Sequence, residues 1–76
     1  MNKVRRNAIY AIINALNELR DSIDVLEGEE EDGYFNLPEG LQESERGEKM
    51  EEAYGLLGEA SESIDTAIEA LESAAR

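Results

Sequence analysis

The chain has no cysteine and no histidine, and a single proline among its 76 residues. Without cysteine it holds neither a disulfide staple nor a thiolate zinc site, and without histidine it lacks imidazole acid-base chemistry. No apolar run approaches the ~20 residues needed to span a bilayer. Bases are scarce too, seven against 19 acids, for a net charge of −12. That balance argues against grasping a phosphate backbone, which takes clustered Lys and Arg, and favours solubility or a basic partner. A chain this short forms one domain at most and buries only about 60% of its unfolded surface, so its core is expected to draw help from self-association or a partner.

The opening stretch, MNKVRRNAIYAIINAL, has the basic start and apolar body of a signal peptide. Asn14 and Asn17 interrupt it, however, and no small-residue cleavage site follows. It is expected instead to form a helix of a protein that stays in the cytoplasm.

What is present is heptad periodicity. From Met50 to Ala74 a large apolar residue recurs at Met50, Leu57, Ile64 and Leu71, with alanine three places later at Ala53, Ala60, Ala67 and Ala74. A seven-residue repeat turns one stripe of a helix toward a partner helix, and alanine at every second stripe position allows close approach. In the first third, Ile9, Ile12, Leu16, Leu19, Ile23 and Leu26 alternate steps of three and four, flanked by the small Ala8, Ala15 and Ser22. The expected architecture is therefore all-α: an antiparallel two-helix hairpin, coiled-coil-like with an alanine-rich seam, assembling into a four-helix bundle dimer.

The single domain, residues 1–76, divides into a helix over about 2–31, a connecting loop over about 32–43 and a helix over about 44–75. Asn2 and Ser44 are the expected N-caps, and Glu45 and Glu48 suit the positive end of the second helix. Gly28 and Gly33 both offer a C-terminal stop for the first helix. Within GYFNLPEGLQE (33–43), Tyr34, Phe35, Leu37 and Leu41 are too apolar for an idle linker and are expected to fold back over the end of the pair, with Pro38 starting one turn. Lys3, Arg5 and Arg6 lie at the helix end that disfavours cations. Antiparallel pairing would set them beside Glu69 and Glu72, where the misfit becomes a registration device.

Two surfaces stand out. Ile9, Tyr10, Ile12, Ile13 and Leu16 make the first helix apolar around much of its circumference, and Tyr54, Leu56 and Ile68 widen the stripe of the second. These eight residues are the candidate oligomer or partner interface. Glu51, Glu52, Glu59, Glu62, Asp65, Glu69 and Glu72 form a nearly unbroken acidic face on the second helix. The bland reading of that face is a solvated surface that keeps a small oligomer soluble. The functional one is an imitation of nucleic-acid charge, aimed at a basic partner.

Other clusters point to less. The run Glu27, Glu29, Glu30, Glu31, Asp32 lacks the ligand alternation and distal glutamate of a calcium loop and reads as a solvated, partly frayed helix end. Gly55 and Gly58, read as outward-facing, each weaken the second helix by about 1 kcal/mol unless another backbone approaches them. Tyr10 and Tyr54 lack the flanking cations of a base-stacking platform. No nucleophile-base pair, glycine-rich phosphate loop or Glu-x-x-His is present, so no enzyme, cofactor or metal is expected.

The block NLPEGLQESERGEKMEEA (36–53), with the closing AIEALESA, resembles short acidic helical proteins encoded by phages and prophages of Gram-positive gut bacteria. The likeness covers about half of the chain and implies a mobile-element setting and a helical hairpin, without binding residues. The resulting expectation is a non-enzymatic interaction protein, an acidic adaptor or inhibitor of a basic nucleic-acid-binding protein, with no direct nucleic-acid or membrane contact. Two alternatives stand beside it: an oligomeric bundle sequestering a nucleotide signal through Tyr10, Asn14, Arg20 or Arg46, and a purely structural assembly component.

Overall fold

Helix α1 spans Lys3–Phe35 and helix α2 spans Glu45–Ala74 in a computed structural model that describes every residue from Met1 to Arg76. Both start where the caps direct. The side chain of Asn2 accepts from the Arg5 backbone N–H at 2.8 Å, and that of Ser44 accepts from Gly47 N–H at 3.2 Å. Each satisfies a donor that the first turn leaves without a helical partner.

The end of α1 differs from expectation. The helix runs through Gly28 and Gly33 and takes in Tyr34 and Phe35, four residues beyond the expected boundary near 31. Tyr34 holds this last turn, because its ring meets that of Tyr54 with centroids 5.8 Å apart. The chain then closes at Asn36, whose N–H donates to the Asp32 carbonyl at 3.0 Å, while the Leu37 N–H at 3.2 Å and Gln42 Nε2 at 3.3 Å both donate to Tyr34 O. The acid run is thus helical throughout, not frayed.

In the connection, Pro38 opens a turn closed by Leu41 N–H to Pro38 O at 3.0 Å, and Gly40 takes φ +88°, which side chains rarely adopt. Gly47 is buried where the first turn of α2 passes against the carbonyls of Leu41 and Gln42, leaving no room for a Cβ. The expected plug is partial. Leu37 and Tyr34 are half-buried, but Phe35 and Leu41 remain exposed.

Contacts that pair rising with falling residue numbers make the hairpin antiparallel. Arg6 meets Ala75, Arg20 meets Asp65, Asp24 meets Ser61, and Gly33 faces Met50. The result is a rod of 58 × 15 × 12 Å with a radius of gyration of 17.2 Å, against about 11 Å for a compact chain of this length. It exposes 5534 Å², roughly 900 Å² more than a compact monomer of its mass.

The seam corrects the sequence expectation by one residue on each helix. On α1 it consists of Arg6, Ile9, Ile13, Leu16, Arg20, Ile23, Glu27, Glu30 and Tyr34, and on α2 of Gly47, Met50, Tyr54, Leu57, Ser61, Ile64, Ile68, Leu71 and Ala75. Every one of these is buried or half-buried. Steps of three and four are kept, and so are Ile9, Leu16, Ile23 and the large positions of α2. Ile12, Leu19 and Leu26 give way to Ile13, Arg20 and Glu27, and the seam is not alanine-rich, since Ala60, Ala67 and Ala74 are exposed. Polar pairing accounts for the rotation. It brings Arg20 Nη1 to Asp65 Oδ1 at 2.6 Å and the Ser61 hydroxyl to Asp24 Oδ1 at 2.6 Å, and no buried polar side-chain atom is left without a partner. The basic end is corrected too. Arg6 Nε donates to the Ala75 carbonyl at 2.8 Å, and no ion pair joins Lys3, Arg5 or Arg6 to Glu69 or Glu72. Arg6 thereby covers the negative end of α2, as a cation near a helix C-terminus does.

Candidate functional site

Stepping one residue back from each seam position rotates about 100° around a helix, and stepping one forward rotates as far the other way. Because α1 and α2 run antiparallel, equal steps emerge on the same side of the hairpin. One side is apolar. Over the middle of the rod, the residues preceding the seam are Ala8, Ile12, Ala15, Leu19, Ser22 and Leu26 on α1, and Ala53, Leu56, Ala60, Ser63, Ala67, Ala70 and Ala74 on α2. None is charged and all are exposed except the half-buried Ala53. Ile12 is 50% exposed, Leu19 58%, Leu26 52% and Leu56 55%, so this face is open along most of its length.

The other side is acidic. The residues following the seam include Asn14, Asn17, Asp21, Asp24 and Glu31 on α1 and Glu48, Glu51, Glu62, Asp65, Glu69 and Glu72 on α2, with no aliphatic residue among them. Five of the seven acidic candidates therefore share one side, while Glu52 and Glu59 lie farther round, on the back of α2. All seven are exposed.

The eight apolar candidates scatter. Only Ile12 and Leu56 lie on the open apolar face. Ile13 and Ile68 are the two large residues buried in the seam, at 8% and 6% exposure, and Ile9, Leu16 and Tyr54 are half-buried there. Tyr10 projects on the acidic side. Sequence reasoning assigned Leu19, Leu26 and the alanines of α2 to the intramolecular seam and so missed them as surface. The signal that would have found them was polar complementarity, since only the shifted register lets Arg20 and Ser61 meet aspartates.

The cations proposed for a nucleotide site do not converge. Arg20 is held by Asp65 and, at 3.4 Å, by Asp21; the hydrogen bond to Asp65, first, raises its pKa above the ordinary value. Arg46 lies with Lys49, Glu30, Glu45 and Met50 around an open cleft of about 480 Å³ near the turn, and Lys49 pairs with Glu45 at 3.2 Å. Tyr10 and Asn14 are on the opposite side. Gly58 is not outward-facing, because the Glu27 carboxylate lies against it, whereas Gly55 faces open space.

Tyr34, Phe35 and Tyr54 form an aromatic cluster at the turn end, with Tyr34 and Phe35 edge-to-face at 5.1 Å. Hydrogen bonding toward Glu51, ahead of desolvation, raises the Tyr34 phenol above its ordinary value; desolvation, followed by the charges of Glu51 and Glu31, raises Tyr54. A raised folded-state pKa favours the protonated phenol. The associated stability is whole below the unfolded value near 10 and is lost as pH climbs through the folded values. In an alkaline absorbance titration, part of the phenolate signal is expected to lag behind the unfolded chain, and Glu51→Gln should shorten the lag. A single tyrosine step at the unfolded position, unmoved by that substitution, would contradict the cluster.

No family model matches this chain, and neither a curated protein nor a solved structure matches it.

Proposed function

We propose that the hairpin is a non-enzymatic interaction protein that works as a dimer, its apolar side taken up by self-association and its acidic side offered to a basic, nucleic-acid-binding protein. One observation carries this reading: over the middle of the rod the residues just before the seam are apolar or small on both helices, while the residues just after it include no aliphatic side chain and carry acids on both. Scattered surface charge would not sort this way. The large exposed surface adds support, since a rod of two helices covers only one stripe of each and leaves the second to another chain. The acidic side presents carboxylates along the length of α2 with no cation exposed among them other than at the termini, a surface that attracts clustered Lys and Arg.

The resemblance of residues 36–53 to phage-encoded acidic proteins extends the proposal to a phage or prophage setting, in which the chain would occupy the nucleic-acid-binding surface of a host or phage protein in the bacterial cytoplasm. No helix is long and apolar enough to cross a membrane, which accords with that setting.

The test is capture from a Gram-positive bacterial lysate at about 0.05 M and about 0.5 M salt, either side of the range where surface charges become screened. The parent chain should retain a DNA-binding protein at low salt and release it to duplex DNA. A variant combining Glu51→Gln, Glu62→Gln, Asp65→Asn, Glu69→Gln and Glu72→Gln should not retain it. Equal retention by both chains, or retention indifferent to DNA, would remove the acidic side from the account.

A further inference from the structure

We infer that the apolar side receives a second copy of this chain laid head to tail, with the two turns at opposite ends of the dimer. This rests on the self-association proposed above and gives it one geometry.

Two face-to-face arrangements keep every neighbouring helix pair antiparallel. In one, the two turns lie together and α1 packs on α2 of the other copy. In the other, the turns lie apart, α1 packs on α1 and α2 on α2. Shape admits both, since Ile12, Leu19 and Leu26 meet small residues in either. Charge separates them. Residues 23–54, the turn end, hold twelve acids against Arg46 and Lys49, a net of −10. The open end, residues 1–9 and 68–76, holds Lys3, Arg5, Arg6 and Arg76 against Glu69 and Glu72, a net of +2. Turns together stack −10 on −10 over the whole acidic end. Turns apart place the basic end of each copy on the acidic end of the other, which steers and orients the pair.

The sequence also supplies a register. With the two-fold axis passing between Ala15 and Leu19, residues of the facing α1 helices whose numbers add to 34 are opposed. Leu26 then meets Ala8, Ile12 meets Ser22, Leu19 meets Ala15, and Arg5 meets Glu29. Every large α1 side chain on this face meets a small one, and the terminal rung is an ion pair. A shift of one heptad in one direction sets Ile12 against Glu29; in the other it loses the Arg5–Glu29 rung. On α2 the same axis brings Ala60, Ala67 and Ala74 against their counterparts, which lets those helices approach closely. The contact strip from Arg5 to Glu29 is about 36 Å long on a rod 15 Å across, so two copies bury on the order of 1,000 Å², the lower range for a specific pair.

The absence of cysteine makes the test clean. The full chain with Glu39→Cys, an exposed position in the turn, carries a spin label, and pulsed dipolar spectroscopy reads the distance within the dimer. Head-to-tail packing separates the labels by more than ~50 Å, whereas turns together bring them within ~25 Å at bundle spacings; the short distance overturns the inference while leaving self-association standing. A monomeric mass at micromolar concentration overturns both. Mixing Ala8→Cys with Leu26→Cys chains under mild oxidation should give the mixed disulfide in excess over either same-site disulfide. An excess of same-site products would overturn the register.

Discussion

Ile68→Ala is expected to destabilise the hairpin by about 2–4 kcal/mol, the loss typical of emptying a buried aliphatic site, while Ala67→Ser one residue earlier should change stability by no more than about 0.5 kcal/mol. The contrast tests the seam itself. Ile68 is buried at 6% exposure opposite α1, whereas Ala67 is exposed. Ile13→Ala should behave like Ile68→Ala, since Ile13 is the corresponding buried residue of α1. For a chain of this size each kcal/mol shifts the melting temperature by about 4–8 °C, so either alanine should lower it by about 8 °C or more. Urea unfolding followed by helical circular dichroism, below the concentration at which copies associate, gives the comparison directly. Equal losses at positions 67 and 68 would restore the alanine-lined seam and cancel the apolar side.

The reason positions 67 and 68 were hard to rank from sequence is physical. In α2 the heptad offers Leu57, Ile64 and Leu71 with either the alanines at 60, 67 and 74 or the residues just after them, Ser61, Ile68 and Ala75. Both choices keep a step of three or four, and both contain good packing residues. Hydrophobic periodicity therefore located the stripe to within about one residue, half the width of a helix face. What decided between them was pairing across the two helices: Arg20 with Asp65 and Ser61 with Asp24. A single-helix pattern cannot contain that information, because it depends on the relative register of both elements. The caps at Asn2 and Ser44, by contrast, are local devices, and the sequence revealed them in place. So did the hairpin topology, since two long periodic segments around a glycine- and proline-bearing connection have few other ways to bury their stripes. The end of α1 escaped because a tertiary contact, Tyr34 on Tyr54, outweighs the local preference of Gly33 to stop a helix. The acidic face was legible for the opposite reason to the seam: Glu51, Glu62, Asp65, Glu69 and Glu72 fall outside the stripe under either register.

Leu19→Glu should weaken the dimer by at least about 100-fold, because it buries a carboxylate next to the two-fold axis with only Ala15 opposite, a cost of about 2.7 kcal/mol or more. The fold of the hairpin should survive. Leu19 is 58% exposed in the isolated hairpin, so the new carboxylate stays hydrated in the monomer and the seam, with Leu16, Arg20 and Ile23 on either side of it, is untouched. Asn17→Glu supplies the control. It adds the same charge two residues away but on the acidic side, so the dimer should persist with little change. Sedimentation equilibrium gives the association constants, and circular dichroism of the same samples gives the helix content. Three results can be told apart: a helical monomer for Leu19→Glu and a dimer for Asn17→Glu places the second copy on the apolar side. The reverse pattern would place it on the acidic side. Loss of helix in Leu19→Glu would return Leu19 to the intramolecular seam, and with it the idea that this rod has an apolar side to share.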